Sequence, residues 1–181
     1  LLAGSSDQAL WQQALAQYSQ SAGYEKAAIA TAMGRSGRPF YRKAFELLSR
    51  EAMNTKELPV VQTAIASALT QLNRSAHEEI SNREFTAVYQ HLIAGGDLAA
   101  AGIAASALSD PSLDFRKEIS DITFLEQARQ RFTLPKDLEM LQPIETAIAY
   151  LTGKEKPKPI QNIYNHPIDW KLIATIPQNQ Q

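Results

Sequence analysis

The chain of 181 residues contains no cysteine. Disulfides, zinc–thiolate sites, iron–sulfur clusters and cysteine nucleophiles are excluded together. The compartment stays open, because a cysteine-free chain folds in a bacterial cytoplasm and in a periplasm alike. No apolar run approaches the ~20 residues that a spanning helix needs. Leu1-Leu2-Ala3-Gly4 is too short for a secretory leader, which says nothing of one removed beforehand. Net charge is also scarce: 18 basic against 19 acidic residues leave a formal charge of −1. No global field therefore draws in nucleic acid or an anionic membrane. Three histidines, at 77, 91 and 166, are too scattered for a ligand set. What remains is a chain 44% hydrophobic and 20% charged, too apolar for disorder and long enough for a sizeable core or four or five stacked helix pairs.

Helical periodicity dominates. Asp7 opens a helix over 7–21, with Leu10, Trp11, Ala14, Leu15 and Tyr18 at three- and four-residue steps. A second helix over 24–33 stops at Gly34 and Gly37. Pro39 sits in the first turn of a third, which carries Phe40, Ala44, Phe45, Leu48 and Ala52 on one side. Further helices are expected from Leu58-Pro59 to Asn73, over 77–94, and from Asp97 to Leu108. After Asp110-Pro111 the pattern Ile119, Ile122, Leu125, Ala128, Phe132 predicts a seventh helix. An eighth opens near Pro135, presents Leu141, Ile144, Ile148 and Leu151, and ends at Gly153.

The second helices repeat one another. Ala28-Ile29-Ala30-Thr31-Ala32-Met33 matches Ala64-Ile65-Ala66-Ser67-Ala68-Leu69 and Ile103-Ala104-Ala105-Ser106-Ala107-Leu108. Ala147-Ile148-Ala149-Tyr150-Leu151-Thr152 is a looser fourth copy. The copies start 36, 39 and 44 residues apart, and a longer helix rich in large apolar residues precedes each. A drifting period near 40 with two helices per unit predicts an all-α fold, an alpha-alpha superhelix of about four helix pairs over 1–153. Small alanine ridges let the second helices approach closely, while Phe, Tyr and Leu of the first helices fill the space between layers. Leu69 and Ile148 belong to the core on this reading.

These alanine-ridged segments, 25–34 and 59–69 above all, resemble the second helix of a HEAT repeat. The resemblance covers about residues 7–153 and implies an alpha-solenoid. It implies little about activity. The tetratricopeptide pattern fits worse, since the period here is longer and more variable. Leu1-Leu2-Ala3-Gly4 looks like Tyr150-Leu151-Thr152-Gly153, the end of a second helix, so the chain is readable either as starting inside a repeat or as starting at a frayed terminus.

Residues 154–181 read differently. Lys154-Glu155-Lys156-Pro157-Lys158-Pro159 is a charged, proline-spaced linker, and Ile168-Asp169-Trp170-Lys171-Leu172 alternates as a short strand. A lone strand needs a partner, either the last helix pair or a following domain. The run is similar to the lead-in before cyclophilin-type peptidyl-prolyl isomerase domains in some bacterial proteins. That resemblance implies an isomerase domain beyond Gln181, and none of its catalytic residues falls within this chain.

Candidate chemistry is thin. Asp110, Asp114, Glu118 and Asp121, spaced four, four and three apart, are expected to share one helix face; Arg116 and Lys117 favour a solvated face over a calcium or magnesium site. His77-Glu78-Glu79 lacks the second histidine of a zinc protease, because position 81 is Ser81. Asn73-Arg74-Ser75 is a glycosylation sequon of a kind common by chance. Gly34-Arg35-Ser36-Gly37 has the spacing of an RNA-binding loop, but glycine turns between helices explain it. Arg35, Arg38, Arg42 and Lys43, with Phe40 and Tyr41, form the one dense basic and aromatic cluster, able to grip a phosphate, a nucleic-acid strand or an acidic peptide. The balanced charge argues against nucleic acid and for arginines paired with neighbouring acids.

No catalytic residue, metal site or cofactor is expected. The expectation is a scaffold that binds a protein or peptide, with Arg35, Arg38, Arg42, Gln62, Gln71 and Arg74 as candidate contacts on the second-helix ridge and basic cluster. The alternatives are the helical arm of a cyclophilin-type isomerase and an oligomerising structural element.

Overall fold

A computed structural model describes residues 7–133 and 137–154. Those residues form eight α-helices: α1 (Gln8–Gln20), α2 (Gly23–Met33), α3 (Tyr41–Ala52), α4 (Pro59–Ala76), α5 (Asn82–Gly95), α6 (Leu98–Leu108), α7 (Thr123–Arg129) and α8 (Leu138–Thr152). Short 3-10 turns precede α3 and α7, at Arg38–Phe40 and Phe115–Lys117.

Local chemistry sets the ends. The Asp7 carboxylate accepts from the Ala9 and Leu10 amides and starts α1. Ser81 and Glu84 form a reciprocal capping box, so α5 begins at Asn82 and not at 77; His77 to Ile80 form the turn before it. Pro59 occupies the first turn of α4, and Asp97 caps α6. Gly153, at φ 68°, closes α8 in the left-handed region, where an L side chain is strained.

Consecutive helices pair as α1–α2, α3–α4, α5–α6 and α7–α8. The second helices form one layer in chain order, α2 on α4, α4 on α6 and α6 on α8. The four alanine-rich copies all fall in this layer, as the repeat predicts. Small residues permit the close approach: a Cβ placed on Gly34 would lie 2.5 Å from the Ala68 Cα and 2.6 Å from its carbonyl oxygen. Ala30, Ala66, Ala104 and Ala105 are fully buried along the same layer.

The first helices supply the bulk. Trp11 of α1 stacks on Phe40 with ring centroids 5.0 Å apart. Phe45 of α3 meets Phe85 of α5 edge-on at 4.8 Å, and Tyr89 of α5 meets Phe115 at 5.8 Å. An aromatic chain thus crosses the joints between successive pairs.

The region from Asp110 to Asp121 departs from expectation. It holds turns and one 3-10 turn, and α7 spans only Thr123–Arg129. Asp121 Oδ1 accepts from the Thr123 amide at 2.9 Å and its hydroxyl at 2.6 Å, which starts the helix there. Asp110 instead holds the Ser112 amide, and Asp114 sits at φ 45°. The four acids therefore do not share a helix face. Pro135 and the tail from 155 onward, including the expected linker and strand, lie outside the described residues, as does the Leu1–Gly4 segment.

Leu69 is fully buried, whereas Ile148 is half-buried at the edge of the same core. Leu69→Ala is expected to cost about 2–5 kcal/mol and Ile148→Ala visibly less, as measured by chemical denaturation of the two variants.

Candidate functional site: the exposed stripe of the second helices

The repeat aligns the solvent-facing positions of the second helices as well as the buried ones. Thr31, Ser67 and Ser106 are equivalent; Ser67 and Ser106 are exposed and Thr31 is partly so. Three residues earlier stand Ala28, Ala64 and Ile103, and four residues later Arg35, Gln71 and Asp110. Each second helix therefore presents an apolar side chain and then a hydroxyl, and the polar position falls within α4 at Gln71 but just past the ends of α2 and α6 at Arg35 and Asp110. Packing of α2, α4 and α6 side by side places these stripes next to one another.

The two ends of the stripe differ. Where second helices begin, large apolar side chains are exposed: Tyr24 at 84%, Leu58 at 51% and Met140 at 40%. Where α4 and α6 end, a charged pair joins them. Arg74 donates from Nε and Nη2 to Asp110 Oδ2, at 3.1 and 2.9 Å. Hydrogen bonds from Ser112, joined by those from Arg74, hold the Asp110 carboxyl below its ordinary value.

The six predicted residues separate into three groups. Arg35 and Gln71 are exposed at equivalent positions of the stripe, and Arg74 lies one turn beyond Gln71. Arg38 and Arg42 are engaged by acids of the next pair: Arg38 Nε lies 2.5 Å from Glu79 Oε1, while Arg42 reaches Glu84 Oε1 at 2.5 Å and donates to the Glu79 carbonyl at 2.8 Å. The Arg42 hydrogen bond holds the Glu84 carboxyl below its ordinary value. Lys43 lies 5.8 Å over the Phe40 ring. The basic cluster is thus largely an ion-paired seam between pairs.

Gln62 is the correction. It is buried, and its amide is consumed. Nε2 donates to the Thr55 and Glu57 carbonyls at 3.2 and 2.8 Å, and Oε1 accepts from the Asp97 amide at 2.7 Å. This one side chain ties the loop before α4 to the start of α6. The signal was present in the sequence, because Gln62 interrupts the apolar run Leu58, Ile65, Leu69, Leu72 at its own period. Asn73, the acceptor of the sequon, is likewise fully buried, beside Tyr89, whose phenol burial pushes well above its ordinary value.

A second polar cluster escaped the sequence reading. Lys26 Nζ lies 2.5 Å from Glu57 Oε2 and 3.0 Å from Glu51 Oε2, and the Tyr18 hydroxyl donates to Glu51 at 3.4 Å. These contacts join residues 25 to 33 positions apart in sequence, so no local spacing announces them. Burial is the largest influence on Lys26 and lowers its value, but hydrogen bonds to Glu57 and Glu51 together raise it. The Lys26 hydrogen bond holds Glu57 below its ordinary value against the opposing effect of burial.

Among the described residues, no group of three or more His, Asp or Glu side chains is arranged to hold a metal ion, and no helix is long and apolar enough to cross a membrane. His77 ends α4 next to the turn and His91 lies within α5, half-buried. Compared with family models, with curated proteins and with solved structures, the chain matches none.

Gln62→Ala strands two carbonyls and an amide, so it is expected to destabilise the chain by about 1–3 kcal/mol. Arg35→Ala and Gln71→Ala are expected to stay within about 0.5 kcal/mol of the parent, as read by urea midpoints. The Lys26 cluster predicts two pH limits. Glu57 is depressed, so its contribution is present above its unfolded value of 4.5 and is lost as pH falls through the lower folded value. Lys26 is raised, so its contribution is present below 10.5 and is lost as pH rises through the higher folded value. Urea midpoints across pH are expected to fall less steeply on the acid side in Glu57→Gln than in the parent.

Proposed function

We propose that this chain is a protein- or peptide-binding helical repeat scaffold of the HEAT type, with no catalytic activity of its own. The observation that carries the reading is the alignment of equivalent hydroxyl side chains, half-exposed Thr31 and exposed Ser67 and Ser106, on three adjacent second helices. An array of this kind offers an extended surface and not a pocket, which suits a segment laid across several helices. Small side chains along the stripe leave room for a partner's backbone. Tyr24 and Leu58 at one edge offer apolar anchors, and Arg35 at the other offers a cation.

The partner fitting this surface is a polypeptide with apolar side chains on one edge and polar or acidic groups on the other. Nucleic acid fits poorly. The formal charge of −1 supplies no field, and Arg38, Arg42 and Arg74 are already held by acids.

A second reading makes the chain the helical arm of a cyclophilin-type isomerase. It rests on the sequence of residues 168–172 alone. A protease-coupled isomerase assay on the full-length protein tests it, and absence of activity removes it.

The scaffold reading is tested by cross-linking the chain to partners from its source and identifying the linked peptides by mass spectrometry. The combined variant Ser67→Arg, Gln71→Glu, Ser106→Arg is expected to lose the cross-links across the stripe while keeping its melting temperature within a few degrees. Cross-links that persist in this variant, or that map away from the second helices, would sink the reading.

A further inference from the structure

The first helix pair has a second side that is open to solvent. There, Leu10, Ala14 and Gln17 of α1 and Ala28, Ile29 and Ala32 of α2 line an open groove of about 350 Å³. None of its lining residues is charged.

Internal repetition shows what such a groove is for. Ile29 and Ala32 are equivalent to Ile65 and Ala68 of α4. Those two are 0% and 2% exposed. Gly34, at the end of α2, comes so close to Ala68 that even a methyl group would not fit between them. In α6 the counterparts Ala104 and Ala107 are also fully buried, with α4 as the preceding second helix. The same ridge is thus covered in α4 and in α6, while in α2 Ile29 and Ala32 remain half-buried and line open space. The groove continues, by one more step, the interface that holds the second helices together.

We propose that this groove is a stacking face for another helical hairpin of the chain's own repeat type. The second helix of that hairpin lies along α2 as α2 lies along α4. Its last turn carries a glycine or an equally small residue against Ala32, because Gly34 fills that role against Ala68. Apolar side chains on its first helix meet Leu10 and Ala14. Charges are absent from the buried part, since the groove offers them no partner. The inference requires only the repeat and stands whether or not the exposed stripe binds a partner.

The absence of native cysteine makes a thiol test clean. In the full chain carrying Ala32→Cys, the thiol is expected to react quickly with an alkylating reagent at all protein concentrations. A second protein carries an added copy of residues 7–37 immediately before Asp7, with Ala32→Cys only in the original copy. There the thiol is expected to react at least about tenfold more slowly, because the added hairpin excludes the reagent. Without the thiol, the extended chain is expected to melt in one transition above that of the parent. Ala32→Glu in the original copy is expected to remove that gain while leaving the unextended chain nearly unchanged.

An unprotected thiol in the extended chain, or separate melting of the added hairpin, would overturn the proposal. So would slow labelling in the unextended chain. Slow labelling that persists on dilution means that the first six residues already fill the groove. Slow labelling relieved by dilution means that a second copy does.

Discussion

Everything in this molecule depends on how closely the second helices approach one another. The contact of Gly34 with Ala68 is its tightest expression, since even a Cβ would collide with the backbone of the facing helix. Packing at that distance demands a ridge of alanine in each second helix, and the sequence supplies one four times. Once these helices are close, their first-helix partners are forced into a second layer, where Trp11, Phe40, Phe45, Phe85 and Tyr89 fill the volume that the alanines leave. The split between a small-residue layer and a bulky one follows from a single steric requirement.

The polar ties obey the same geometry. Arg38 with Glu79, Arg42 with Glu84 and Arg74 with Asp110 each join one pair to the next, across 36 to 42 residues of sequence. They use up charge that would otherwise mark a binding surface. That is why the dense basic cluster looks like a ligand site in the sequence and forms a seam in the structure. Several of these side chains are about half exposed, so each pair contributes modestly to stability. Gln62 contributes more, because its buried amide makes three hydrogen bonds that tie the loop before α4 to the start of α6.

Much of the architecture was legible beforehand because alanine ridges and helix periods are local signals. The order of helices, the four copies and the membership of the second layer all follow from residues a few positions apart. Legibility failed where local chemistry competed with period. Asp110 and Asp121 hold turns in place of a helix, and Ser81 with Glu84 delays α5 despite an apolar stripe that tolerates an earlier start. It failed again where partners are remote, as for Lys26 with Glu51 and Glu57. The candidate surface divides along the same line. Gln71 stands on the exposed face of α4 as helical spacing suggests and Arg35 is exposed in the turn after α2, whereas Gln62 lies on the buried face, a polar residue on an apolar period.

Each pair of the array rests on the pairs before and after it in the chain, and the layer of second helices is built in chain order. Such contacts close short loops, so no pair waits for a distant segment before it can pack. During synthesis, each later pair finds the preceding pair already made and settles on it. The uniform ridge that makes this growth orderly also makes it indifferent to number: nothing in the geometry of one joint tells the array how many pairs to hold.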